Sequence, residues 1–214
     1  MSLKIDLYSE ISCPWCFIGH HRLDKVLKER FPSLSVEIDH HPVLLLPDAP
    51  SEGHYIPDML RQRYGITDPK QAFARPASAA RASGFPLDLG KQLHAYPTRA
   101  AHALLLAAKE KGTQHQLAVA ITDANFLEAK NIGDAEVLAE IASKFGFTRD
   151  EAIAVVRSPS WHKRVDEAAA KGADAGVRSV PHFVFGDRVA INGGRSEDEI
   201  AQAIKEAMTP SMPQ

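Results

Sequence analysis

Residues 3–19 read Leu3-Lys4-Ile5-Asp6-Leu7-Tyr8-Ser9-Glu10-Ile11-Ser12-Cys13-Pro14-Trp15-Cys16-Phe17-Ile18-Gly19. Apolar Leu3, Ile5 and Leu7 alternate with Lys4, Asp6 and Tyr8, which is the period of a strand. From Pro14 to about Arg30 the period changes: Ile18, Leu23, Val26, Leu27 and Phe31 approximate helical spacing, and Pro32 limits the helix. Alternation returns over Leu34-Ser35-Val36-Glu37-Ile38-Asp39 as a second strand. The first 40 residues therefore form a β-α-β unit with Cys13 and Cys16 at its strand-to-helix turn, the edge where ligand-facing chemistry belongs.

These are the two cysteines of the 214-residue chain. A sulfur at a helix N-terminus meets unpaired backbone N–H groups and the positive end of the helix dipole, which favour thiolate over thiol. About 2 kcal/mol of such stabilisation raises the thiolate fraction at neutral pH from about 3% to about half. Cys13 is thus a working nucleophile. Cys16, one turn on, is expected to be more buried and to act second. A structural zinc site would need four ligands, and only His20 and His21 stand nearby. A structural disulfide across so short a loop removes little chain entropy. Two inert buried thiols would not call for a Pro-Trp spacer at a helix start.

Composition sets the class. With 44% hydrophobic and 24% charged residues the chain has an ordinary globular balance. A net charge of −2 gives no general attraction to nucleic acid or anionic membrane. The first residues lack the apolar core of a signal peptide, and no run approaches membrane-spanning length. The expectation is a cytoplasmic protein, in whose reducing surroundings a lone C-x-x-C reads as catalytic.

The segment after Pro42 reads as almost entirely helical up to Gly176. Pro42 to Pro47 looks like an apolar linker packed on the core. Helices are expected over Pro97 to Lys111, Gln116 to Leu127, Asp134 to Phe145 with Asp134 as N-cap, from Thr148 with a capping box, and over Pro159 to Lys171. Strands return at His182 to Phe185 and Val189 to Ile191, joined by a Gly186-Asp187 turn, and Ser196 caps a last helix. The predicted organisation is an α/β domain from residues 1–45 and 177–209, a large all-helical insertion over 46–176 and a tail over 210–214.

Cys-Pro-Trp-Cys-Phe-Ile-Gly at 13–19, with Val180-Pro181-His182-Phe183-Val184-Phe185 leading to Asn192-Gly193-Gly194, resembles the DsbA superfamily of thioredoxin-like proteins. Pro97 to His102 and Asn125-Phe126 through Ile132-Gly133-Asp134 to Val137-Leu138 narrow the likeness to its FrnE-like branch. The resemblance implies a thioredoxin-like fold with the insertion between strand 2 and the Val180-Pro181 strand. It also implies a cis Pro181 facing the cysteines, with Val180 offering backbone hydrogen bonds to a bound peptide or thiol. Related 2-hydroxychromene-2-carboxylate isomerases and kappa-class glutathione transferases carry serine in place of Cys13. They bind glutathione near the turn matching Gly194, Arg195 and Ser196, so these are candidate glutathione contacts.

Three other site readings follow. Glu10, three residues before Cys13, is a candidate proton acceptor, the alternative being a solvated carboxylate at a strand end. Pro14 and Trp15 shape access to the sulfur and tune its potential. His20, His21, His40 and His41 form adjacent pairs whose members point in different directions, which suits surface positions. The leading expectation is a thiol–disulfide oxidoreductase acting on protein or small-molecule thiols and disulfides. It would need no bound metal or cofactor, would use glutathione as a redox co-substrate, and would be a monomer or a homodimer. The competing readings are a glutathione-dependent isomerase or transferase and a non-catalytic peptide-binding module.

Overall fold

A computed structural model describes residues 2–209. Strand β1 (Ser2–Ser9) feeds helix α1 (Pro14–Arg30), which returns the chain to strand β2 (Ser35–Pro42) parallel to β1, pairing Ser2 with Ser35 through Ser9 with Pro42. After the insertion, β5 (His182–Phe185) adds antiparallel to the other edge of β1, and β6 (Val189–Asn192) pairs with β5. Gly186 and Asp187, the central residues of the turn that Arg188 N closes on the Phe185 carbonyl, both take positive φ, 57° and 55°, within the three-residue loop from β5 to β6. The sheet order is β2-β1-β5-β6.

The alternation of β1 puts Leu3, Ile5 and Leu7 into one core. They meet Leu23 and Val26 of α1, Phe183 and Phe185 of β5, and Ile200 and Ile204 of the last helix, α9 (Glu197–Met208). Each fully buried side chain of this size contributes about 1.5–3 kcal/mol. Ser196 and Glu199 form a reciprocal capping box at the start of α9.

The insertion carries α2 (Ile56–Tyr64), α3 (Pro69–Ala82), α4 (Arg99–Glu110), α5 (Gln114–Phe126), α6 (Ala135–Ala142), α7 (Arg149–Val156) and α8 (Pro159–Asp174). Leu104, Leu105, Leu117, Ile121 and Leu138 build its core, and Ile11 joins them from the turn after β1. A third core places Phe17 and Ile18 of α1 against Ala80, Leu87, Leu89 and Phe126. The start of α1 is therefore clamped between the sheet and the insertion.

The structure corrects four expectations. The insertion is not all-helical: β3 (His54–Tyr55) and β4 (His94–Ala95) form an antiparallel ladder, and residues 83–98 are otherwise turn and coil. Gly84, Pro86, Gly90 and Pro97 explain that break, since none continues a helix well. Strand β2 runs three residues past Asp39, which carries His40 into the sheet. Helix α5 starts at Gln114 and α8 ends at Asp174 rather than at Gln116 and Lys171.

Candidate active site at the first helix

Cys13 is the N-cap of α1, with extended φ and ψ of −91° and 119°, and Pro14 takes the first helical position. Its carbonyl accepts the first helical bonds, from Cys16 N at 3.0 Å and Phe17 N at 3.2 Å. Both cysteines are free and lie 3.8 Å apart. Cys13 keeps 9% of its surface exposed and Cys16 none.

Their environments drive the two thiols in opposite directions. The Cys16 thiol, donating toward Cys13 Sγ, holds the Cys13 pKa below its ordinary value; the backbone N–H groups of Cys16 and Trp15 assist, against the opposing effects of burial and Glu10. Burial pushes the Cys16 thiol well up, and the nearby Cys13 adds to the shift. The charge of the pair belongs on Cys13, the sulfur that reaches the surface.

Glu10 lies beneath the pair and is fully buried, so the solvated-carboxylate alternative does not hold. Its backbone N–H donates to Cys16 Sγ at 3.4 Å and its carbonyl accepts from Cys13 N at 3.1 Å. One carboxylate oxygen accepts from Leu45 N at 2.9 Å, and the other accepts from Ser12 N at 3.3 Å and lies 3.5 Å from His102 Nε2. A buried carboxylate with so few partners lacks the shell that water would give it.

The Val180-Pro181 peptide is cis. Pro181 packs on α1 so closely that a Cβ at Gly19 would lie 3.1 Å from its Cγ. Val180 is half-buried and sits outside the ladder, which begins at His182. Trp15, half-buried, lays its ring on Gly194, where a Cβ would come within 2.1 Å of it. The Gly194-Arg195-Ser196 turn is held from inside: Arg22 donates to the carbonyls of Gly194 and Arg195, Arg195 bonds the Asn192 carbonyl and Glu199, and the Ser196 hydroxyl caps α9. Of the three candidate glutathione contacts Gly194 thus abuts Trp15, while the Arg195 guanidinium and the Ser196 hydroxyl are already engaged.

Cys13 opens on a mostly apolar cavity of about 220 Å³. Pro14, Leu46, Met59, Phe73 and Phe126 line it, and Gln92, His94 and Asn125 supply polar groups. Gln92 is fixed by donating to the Asn125 side chain and carbonyl and to the Lys130 carbonyl, all at 3.2 Å.

Sequence reasoning missed three parts of this site. The apolar linker is not mere packing: Leu45 is 49% exposed, lines the cavity with Leu46 and binds Glu10 through its N–H. His102 had one signal, a lone imidazole on the Ala- and Leu-rich face of α4. The adjacent histidine pairs are not surface pairs, because His20 and His40, one from each, are buried and meet at 5.2 Å between ring centres. Among the described residues, no three His, Cys, Asp or Glu side chains are grouped to hold a metal ion, and no helix is long and apolar enough to cross a membrane.

Comparison with known proteins identifies the fold and the family. The profile of the DSBA-like thioredoxin domain matches residues 4–205. The crystal structure of the probable DsbA oxidoreductase SCO1869 from Streptomyces coelicolor superposes with a TM-score of 0.86 at 28% identity, over 99% of this chain and 92% of that one. Two more distant structures share the fold. A 2-hydroxychromene-2-carboxylate isomerase has a TM-score of 0.67 at 18% identity, over 96% and 94% of the two chains. The cytosolic disulfide reductase DsbM from Pseudomonas aeruginosa, also solved with GSH, has 0.64 at 17%, over 95% and 98%.

Proposed function

The chain belongs to the DSBA-like thioredoxin domain family, and we propose that it is a thiol–disulfide oxidoreductase working through Cys13 and Cys16. The observation that carries this reading is the asymmetry of the pair: Cys13, the N-cap of α1, keeps 9% of its surface open and is held toward thiolate, while Cys16, 3.8 Å away, is sealed and held toward thiol. The Cys13 thiolate attacks a substrate disulfide, forming a Cys13–substrate bond and releasing one substrate thiolate. Cys16 then loses its proton and attacks Cys13 Sγ. The Cys13–Cys16 bond forms, the second substrate thiolate leaves, and the substrate is reduced by two electrons as the pair is oxidised. Glu10, buried below both sulfurs, is the acceptor for the Cys16 proton. The half-buried Val180, outside the sheet ladder, presents backbone groups to the substrate.

The apolar cavity beside Cys13 favours a substrate with an apolar or aromatic group next to its sulfur, either a peptide side chain or a small thiol. Glutathione is proposed as the redox co-substrate, as DsbM's solution with GSH suggests for a protein of this fold. No metal or bound cofactor enters the steps. A reducing, cytoplasmic setting suits a pair that must be recharged by thiols.

Equilibration with glutathione redox buffers, read by mass spectrometry, tests the proposal. A reversible Cys13–Cys16 disulfide is expected, and its potential sets the direction in which the pair runs. Cys16→Ser should accumulate a mixed disulfide on Cys13, and Cys13→Ser should form neither species. A persistent glutathione adduct on Cys13 in the native protein, with no internal disulfide, would sink the proposal.

A further inference from the structure

Cys16 and Glu10 are both sealed from solvent, yet the exchange requires the Cys16 proton to leave the molecule. A cluster of histidines runs from that point along one face of α1, on which His20 and Asp24 follow Cys16 at four-residue steps. His102 Nε2 lies 3.5 Å from the Glu10 carboxylate and makes no well-formed hydrogen bond to it. His20 follows, in the electrostatic field of His102. Its ring centre is 5.2 Å from that of His40 and 6.3 Å from that of His115. His40 Nε2 bonds His115 Nδ1 at 2.8 Å, and His115 Nε2 bonds Asp24 at 2.7 Å. Asp24 and His115 stand on a surface cleft of about 410 Å³, with Asp39, Lys109 and Gln114.

Four ring nitrogens in this cluster, both of His20, Nδ1 of His40 and Nε2 of His102, are buried without a hydrogen-bond partner among the described residues. Buried polar atoms in such numbers call for partners, and ordered water is the partner that fits imidazoles several ångströms apart. Burial, reinforced by the neighbouring histidines, holds the pKa values of His20 and His40 well below the ordinary range, so both rings are neutral at neutral pH. A neutral imidazole accepts a proton at one nitrogen and releases one from the other, so it passes a proton on without retaining charge.

We infer that His102, His20, His40 and His115, bridged by internal water, form a proton path joining Glu10 beneath the cysteines to solvent at Asp24. The inference rests on the thiol–disulfide reading and adds its proton exit. In the resolving step the Cys16 proton moves to the Glu10 carboxylate as the Cys13–Cys16 bond forms. Glu10 then hands the proton to His102, and the path releases one proton at the Asp24 cleft. No electron travels with it, so the histidines are positioning residues that act through Glu10.

The test is stopped-flow mixing of the reduced protein with an equimolar aromatic disulfide, dithiobisnitrobenzoate, which releases a coloured thiolate at each step. The first release reports attack by Cys13 and the second reports resolution by Cys16. In His102→Gln and His115→Gln the first release is expected at the native rate. The second should slow by roughly tenfold or more, show an enlarged solvent isotope effect and, for His115→Gln, recover with added imidazole. Should His102→Gln fail to fold, His115→Gln at the cleft decides alone. A second release at the native rate overturns the path, as does a slowed release with an unchanged isotope effect and no imidazole rescue. A native protein that gives the first release and never the second refutes the disulfide reading itself.

Discussion

At Gly194 the turn before α9 has room for a hydrogen and nothing larger. A Cβ there would stand 2.1 Å from Trp15 Cε3 and 2.4 Å from Cζ3, so Gly194→Ala must displace the ring. The expected cost is about 1–3 kcal/mol of stability, the range for overpacking a close contact. The Trp15 backbone N–H faces the Cys13 sulfur, so displacing this residue is expected to change access to that thiol. Iodoacetamide should therefore modify Cys13 faster in Gly194→Ala, and Trp15 emission in a Trp161→Phe background should move to the red. Unchanged alkylation and emission would mean that Trp15 does not gate the thiol. Gly19 makes a looser approach to Pro181 and Phe183, both at 3.1 Å, so a glycine on each side keeps the cysteine turn closely packed. Neither need was legible from one sequence, because a glycine's neighbour across the fold leaves no local mark. The cysteine turn was legible because its strand, turn and helix pattern is itself local, whereas the cis Pro181 was an implication of the family resemblance.

Arg22 ties helix α1 both to the insertion and to the turn before α9. Arg22, nearly buried, donates from Nε to the Ser83 hydroxyl at 2.8 Å and from one terminal nitrogen to the Ala79 carbonyl at 3.0 Å; the other reaches the carbonyls of Gly194 and Arg195. The guanidinium thus spans α1, the end of α3 and the turn before α9, a fork that an ammonium cannot copy. Removing it takes the side-chain donor from the Gly194 and Arg195 carbonyls and from the Ser83 hydroxyl, and leaves the Ala79 carbonyl only the Ser83 N–H at 3.3 Å, so Arg22→Met should cost about 2–4 kcal/mol. Arg22→Lys should recover little of this. Urea unfolding measures the loss, and hydrogen exchange should locate its first effect in α3. Protection of α3 equal to the native protein's would show that α3 is held by its apolar contacts alone. Elements were legible where local chemistry fixes them: Asp134, Thr148 and Ser196 each accept the capping bonds their types predict. The β3–β4 ladder was not, since two residues per strand carry no period and its pairing joins positions about forty residues apart.

Across the whole molecule the buried histidines set a dependence on acid that the composition did not foretell, because ten histidines say nothing of which are buried. The pair pattern at His20-His21 and His40-His41 correctly argued that neighbours diverge, but that divergence sends one member of each pair inward, where α1 and β2 bring them together. In the folded chain burial holds His20 and His40 well below their ordinary pKa, so below about pH 6.5 the unfolded chain binds protons that the folded one refuses. Stability is then full above that pH and falls as the pH drops, with a slope approaching roughly 1.4 kcal/mol per pH unit for each histidine. Carboxylates such as Glu199, held low by the Ser196 N–H, add their loss only in more acid solution. Urea unfolding at intervals between about pH 7.5 and pH 5 should resolve this decline before the carboxylates contribute. His20→Phe discards two ring nitrogens that have no partner among the described residues, so at neutral pH it should be neutral or stabilising, and below about pH 6.5 it should lose about half of the slope. The same substitution interrupts the proposed proton path. It should therefore raise acid tolerance while slowing the second thiolate release, two opposite effects from one ring that a purely structural histidine would not produce.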